Sequence, residues 1–311
     1  MRNPNIILDC TSFMGKTVIS KLVLLLGSAI VLIGCSDLKT DLPTPTGATG
    51  KVHAAGWLDT TSTAFHGTAL RKAGWNLSSC QSCHGGNYAG GTVGYSCRRC
   101  HTETAGPEAC NACHGNDLNP APPRDTHGGY AQGTRGVGAH QSHLNGSTLA
   151  HAISCAECHT VPATLRSPGH IDSTGRAHVL FQDSLALTVT NSPGTEDYDD
   201  TRQSFTPAPV YNPTTLSCAS TYCHGNFKNG NANNAPVWTD SQAACGTCHG
   251  DITKPIPERA RPKTLPQGGS HPVSTACFAC HDGIVDASGN ILDPAKHING
   301  LLNVYGDERA F

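Results

Sequence analysis

One arrangement of residues governs what this chain can fold into: two cysteines two residues apart, with histidine directly after the second. It occurs as Cys80, Cys83 and His84; Cys97, Cys100 and His101; Cys110, Cys113 and His114; Cys155, Cys158 and His159; Cys245, Cys248 and His249; and Cys277, Cys280 and His281. C-x-x-C-H is the attachment signature of c-type haem. The spacing follows from the chemistry. Two thiols add to the two vinyl groups on one porphyrin edge, and the next residue then lies under the iron as the proximal ligand, through a neutral imidazole nitrogen. Zinc pairs and redox disulfides also use C-x-x-C, but neither needs histidine after every second cysteine.

Residues 218–225 read CASTYCHG, with four residues between Cys218 and Cys223 instead of two. The pair that fixes the iron, Cys223 and His224, is unchanged. Only the first thioether has a longer tether, and a longer loop costs little closure entropy. Counted this way, 14 of the 16 cysteines belong to seven attachment sites, and the other two, Cys10 and Cys35, lie near the N-terminus. The expectation is seven covalently bound c-type haems.

Seven of the 17 histidines are proximal, which leaves His53, His66, His127, His140, His143, His151, His170, His178, His271 and His297. The two methionines, Met1 and Met14, both precede Cys35. A chain processed at Cys35 would have no methionine to offer an iron, so bis-histidine ligation is expected throughout. Methionine ligation raises haem potential, so its absence predicts a low-potential set. His53, His66 and His127 flank the first three motifs. His140, His143, His170, His271 and His297 are the distal candidates for the last four, one more in total than seven irons need. His140 and His143 are three apart and share a helix face, so they can serve two neighbouring haems. His151 and His178 are expected on the surface or in hydrogen bonds.

The N-terminus reads as an export signal. Lys16 and Lys21 precede an apolar run over 22–34, shorter than the ~20 residues of a membrane-spanning helix. The run ends in Leu32-Ile33-Gly34-Cys35, which resembles a bacterial lipobox. That resemblance implies a signal peptide over 1–34 and a Cys35 that is lipidated and becomes the first mature residue. Met14 offers an alternative start, with MGKTVISK as a basic leading segment. Ser36 after the cysteine favours, by analogy, the outer membrane. Residues 35–50 are the lipidated tether, 51–130 a trihaem segment and 131–311 a tetrahaem segment with wider motif spacing.

Composition sets the fold class. Hydrophobic residues make up 37% and aromatics 5%, with 34 glycines and 20 prolines. Such a chain is poorly equipped to build a large apolar core, and porphyrins would supply the missing apolar surface. Periodicity is weak, so short helices around the motifs, much irregular chain and little strand are expected. Residues 178–190 could form a small strand pair, and 191–215 reads as a long loop. The net charge of −2 gives no support for a nucleic-acid partner.

The order GAHQSHL, SCAECHTVP, SCASTYCHG, Trp238, ACGTCHG, CFACHD and HING over 131–311 resembles the C-x-x-x-x-C-H/C-x-x-C-H family of multihaem c-type cytochromes, abundant in metal-reducing bacteria. The resemblance implies a mostly irregular and α-helical multihaem cytochrome, its loops wrapped around a chain of haems. It implies an electron carrier at the outer membrane and not an enzyme. The implied partners are periplasmic or outer-membrane redox proteins, a porin conduit, and extracellular acceptors such as metal oxides. Two alternatives stand beside it. A filament subunit could use a spare histidine on a neighbour's haem. A multihaem reductase would typically keep one iron open with lysine replacing the motif histidine, and no C-x-x-C-K occurs.

Overall fold

Glycine, proline and asparagine interrupt the chain so often that no helix exceeds seven residues among those described. The computed structural model describes residues 52–172, 174–182, 185–195, 200, 203–240 and 243–311. The signal segment, Met14, Cys35 and the tether lie outside the described residues. Met1–Trp57 and Leu58–Phe311 form two compact units. In the first, the described residues include His53, whose ring stacks on Trp57 at 4.4 Å and 13°.

The second unit is mostly turns and irregular chain. Its α-helices are α1 (His66–Lys72), α2 (Ser78–His84), α3 (Cys110–Cys113), α4 (His140–Leu144) and α5 (Pro294–His297). Their ends follow local rules. Asn76, before the N-cap Leu77 of α2, accepts from the Ser78 backbone N–H and hydroxyl, and Gly85, at φ 79°, ends the helix. Asp293 caps α5 by accepting from the Ala295 N–H, with Pro294 at the first position. Short 3-10 turns occupy Cys97–Arg99, Cys155–Glu157, Tyr222–His224 and Cys277–Ala279, all at attachment motifs.

Two antiparallel hairpins supply the strands. β1 (Val210–Asn212) pairs with β2 (Ser217–Ala219), placing Tyr211 opposite Cys218. β3 (Leu302–Val304) pairs with β4 (Asp307–Arg309). The expected strand pair over 178–190 does not form among the described residues. The Leu180 N–H donates instead to the Cys158 carbonyl, Phe181 takes a left-handed φ of 47°, and Thr190 makes one isolated bridge to Phe205. The Leu180 N–H is thus spent on holding the fourth attachment motif, and Thr190 pairs outside the stretch. The stretch 191–215 is likewise not all loop, since β1 starts at Val210.

Eight hydrophobic residues are buried among those described, including Leu77, Tyr88, Phe181, Tyr222 and Ile284. One connected cavity of about 3070 Å³ runs through the unit, lined by residues of the third to seventh motifs. It is several times the roughly 300–1,000 Å³ of an ordinary ligand pocket.

Candidate haem sites

Four of the attachment motifs close as a single turn. The histidine N–H returns to the first cysteine's carbonyl at His101, His114, His159 and His281, over 2.9–3.1 Å. That turn puts both thiols and the imidazole on one side of the chain. The long motif reaches the same end differently. The His224 N–H meets the Thr221 carbonyl and hydroxyl, so the turn is made by Thr221–His224, and Cys218 stays outside it on β2. Ser220 makes the corner at φ 56°. The four-residue spacer thus divides into a strand end, a left-handed corner and a buried capping threonine. None of the fourteen motif cysteines is paired in a disulfide. Burial raises the thiols of Cys158, Cys218 and Cys223 above the usual cysteine value.

Six motif histidines face a histidine from outside the motifs. His101 faces His66 with ring centres 6.0 Å apart, and His114 faces His170 at 6.1 Å. His159 faces His140 at 6.3 Å, and His224 faces His143 at 6.1 Å. His249 faces His297 at 6.0 Å, and His281 faces His271 at 6.5 Å. A metal between two imidazoles, with bonds of about 2 Å and roughly 1 Å more from nitrogen to ring centre on each side, requires a separation of about 6 Å.

The orientation of the rings fits a metal as well. Nδ1 of nine histidines, His84, His140, His143, His159, His170, His249, His271, His281 and His297, lies 2.5–3.0 Å from a backbone carbonyl. A carbonyl only accepts, so Nδ1 carries the proton and Nε2 keeps its lone pair. This is the arrangement that orients metal-ligating histidine. Burial pulls His224 and His249 down to about 4, and it also lowers His101, His114, His140, His271 and His297. These rings are held neutral, the ligating form. Two imidazoles per site leave a bare tetrahedral ion two ligands short. They suit an iron that already has four equatorial nitrogens from a macrocycle.

The grouping by sequence position differs from the structure at His170. It faces the third motif and not one of the last four, because the chain after the fourth motif folds back and the His170 N–H closes a turn on Ser167. His127, expected near the first three motifs, is exposed on the turn capped by Asp125, its Nδ1 3.5 Å from the Thr126 hydroxyl. His178 gives its backbone carbonyl to His159 and its own Nε2 to Asp172 at 2.7 Å. His151 lines the cavity with its Nδ1 buried and without a hydrogen-bond partner.

Several supporting residues carry no motif of their own. Asn231 donates to the carbonyls of Gly246, Thr247 and Gly250, holding the sixth motif's loop, and Asn234 donates to the His224 carbonyl. Their one signal in the sequence is the asparagine-rich NGNANN between two motifs. Asn303 on β3 offers its carbonyl to His281, and the Tyr305 N–H reaches the Cys280 carbonyl, so the C-terminal hairpin frames the seventh motif.

Residues 217–249 match the family described as the Geobacter CxxxxCH...CXXCH motif. This segment is similar to that of multihaem c-type cytochromes. Comparison with curated proteins gave no match, and comparison with solved structures gave none. The matched segment spans Cys218, Cys223 and His224 and then Cys245, Cys248 and His249, with Trp238 between. Its motifs imply covalently bound c-type haem and support electron transfer as their chemistry. The irregular, helix-poor and strand-poor fold is compatible with a multihaem cytochrome.

Proposed function

We propose that this protein is a heptahaem c-type cytochrome. It carries electrons through low-potential, bis-histidine haems at the outer membrane toward extracellular acceptors such as metal oxides. The observation that carries the reading is the facing of six motif histidines by six others at the spacing two axial imidazoles require. Bound haem supplies a one-electron iron couple. The protein's part is to hold Nε2 on both sides, exclude a third ligand and keep the sites adjacent. Adjacency is supported where one residue or element serves two sites: Asn234 donates to the His224 carbonyl and lies 3.9 Å from Cys248 Sγ, and α4 carries both His140, facing His159, and His143, facing His224. At the six sites where two histidines face each other, a bound iron would have no coordination position left for a substrate, which favours a carrier over a reductase.

Location rests on the sequence around Cys35. Lipid on Cys35 would hold the protein at a membrane. The partners proposed are other periplasmic or outer-membrane redox proteins or a porin conduit. Cys35→Ser should release the protein from membranes or leave it unprocessed, with its haems intact. Processed protein that stays bound through a high-salt wash would mean that a protein partner, not a lipid, holds it.

The haem number is tested by mass spectrometry of the mature protein, which should show seven haem additions. Six additions, with Cys218 and Cys223 free or disulfide-linked, would remove the long motif from the reading.

A further inference from the structure

Trp238 stands where two sites meet. Its ring lies edge-on to His140 at 4.8 Å and 86°, and 5.7 Å from His143 at 31°. Those two histidines sit on α4 and face different motifs, His159 at 28° and His224 at 66°. The indole N–H donates to the Arg135 carbonyl at 3.0 Å, in the turn that leads into α4. In that turn Gly138 has φ +45°, and a Cβ there would lie 1.8 Å from the indole nitrogen. Glycine is what admits the tryptophan.

The other edge of the same segment is tied to the long motif. The Trp238 N–H donates to the Leu216 carbonyl at 2.6 Å, and the Cys218 N–H donates to the Pro236 carbonyl at 3.1 Å. Ser217 and Val237 form a bridge between those bonds. Residues 236–238 therefore run beside β2, which carries Cys218 outside its motif turn. A two-residue spacer would draw Cys218 into the turn and remove the strand position to which this segment is bonded.

We infer that Trp238 is a positioning residue shared by the fourth and fifth sites. It fixes the ring planes of His140 and His143, and so the electronic structure of two neighbouring irons together, and the long spacer exists to anchor it. The physical basis is that an imidazole turns easily about its bond to iron. Packing and the Nδ1 hydrogen bond choose its angle, and the angle between the two axial rings sets the splitting of the ferric iron's d orbitals. The Nδ1 bonds of both histidines go to Val137 and Ala139, which flank Gly138. Moving the indole disturbs that turn and both rings at once.

The inference rests on bis-histidine haem ligation at these sites, and the experiment separates the two claims. Low-temperature EPR of the oxidised parent protein, with haem content measured by mass, tests the ligation: without low-spin signals the ligation reading fails whatever Trp238 does. Given those signals, Trp238→Leu should shift the g values of two of the seven components and leave five unmoved. Trp238→Phe, which keeps a ring but loses the bond to Arg135, should shift the same two by less. Should the leucine variant fail to load haem, the phenylalanine variant decides alone by the same two components. A parental spectrum in the loaded variants, or a change spread over all components, overturns the inference.

Discussion

At the scale of single residues, the hydrogen bond behind each ring decides as much as the ring itself. His170 and His178 are both outside the motifs, yet they serve differently: His170 presents a ring to His114, and His178 lends only its backbone carbonyl to His159. His170→Ala should therefore convert about one-seventh of the iron to high spin, while His178→Ala should leave every site low-spin, as read by EPR and visible spectra. His170→Met should raise one potential by on the order of 0.1 V, a fraction of the ~0.8 V that axial ligands span. A redox titration that is unchanged would remove His170 from the ligand set. The ring angles make a second prediction. Three facing pairs are near parallel, at 8°, 8° and 28°, and three are steeply crossed, at 66°, 73° and 86°. The oxidised protein should show rhombic and highly anisotropic low-spin signals in comparable amounts. A spectrum of one type alone would contradict the geometry.

Elements here are units of one turn, and their legibility follows from that size. An attachment motif is contiguous, so Cys110 to His114 can be read without knowing where the rest of the chain goes. A facing histidine is brought in by a loop, and closure entropy depends so weakly on loop length that sequence distance says little about the partner. This is why His170 could not be placed with the third motif from the sequence, while His140 and His143, on one helical face, could be assigned to neighbouring sites. The short strands escaped for a related reason. Leu180 and Thr190 have strand-like neighbours, but their N–H groups go to Cys158 and Phe205 singly, and three-residue pairs such as β1–β2 leave too little alternation to read. The spacer of the long motif offers a test at this scale. Deleting Ser220 and Thr221 restores C-x-x-C-H in sequence but removes the left-handed corner and the buried cap of His224. Peptide mapping should then find Cys218 unattached, or that haem lost. Ser220→Gly, by contrast, should be neutral or stabilise by up to about 1 kcal/mol, because the corner's φ of 56° suits glycine.

The whole molecule inverts the usual order of folding and cofactor binding. An ordinary domain of this size buries a contiguous apolar core and then offers a pocket. Here the buried apolar residues among those described are few and scattered, and large side chains such as Leu118, Val161 and Leu265 stay exposed. The cavity shared by five motifs takes the place of a core, with Ile153, Leu165, Leu301 and Phe311 along its wall. Helices of four to seven residues are too short to persist without tertiary support, and hairpins of three-residue strands are marginal alone. Among the described residues, thirteen short helical elements and two hairpins are held across that space by hydrogen bonds such as those of Asn231, Asn303 and Trp238, with few buried apolar contacts. Cofactor attachment should then be a folding event, as metal binding is in small metallo-domains. Chain produced without haem attachment should lack a cooperative thermal transition and exchange its backbone amides rapidly, including Cys218 N–H and Trp238 N–H, which are bonded in the folded form. The loaded protein should protect both. Hydrogen exchange read by mass spectrometry compares the two directly, and a haem-free chain that melts cooperatively with those amides protected would show that the polypeptide carries its own core.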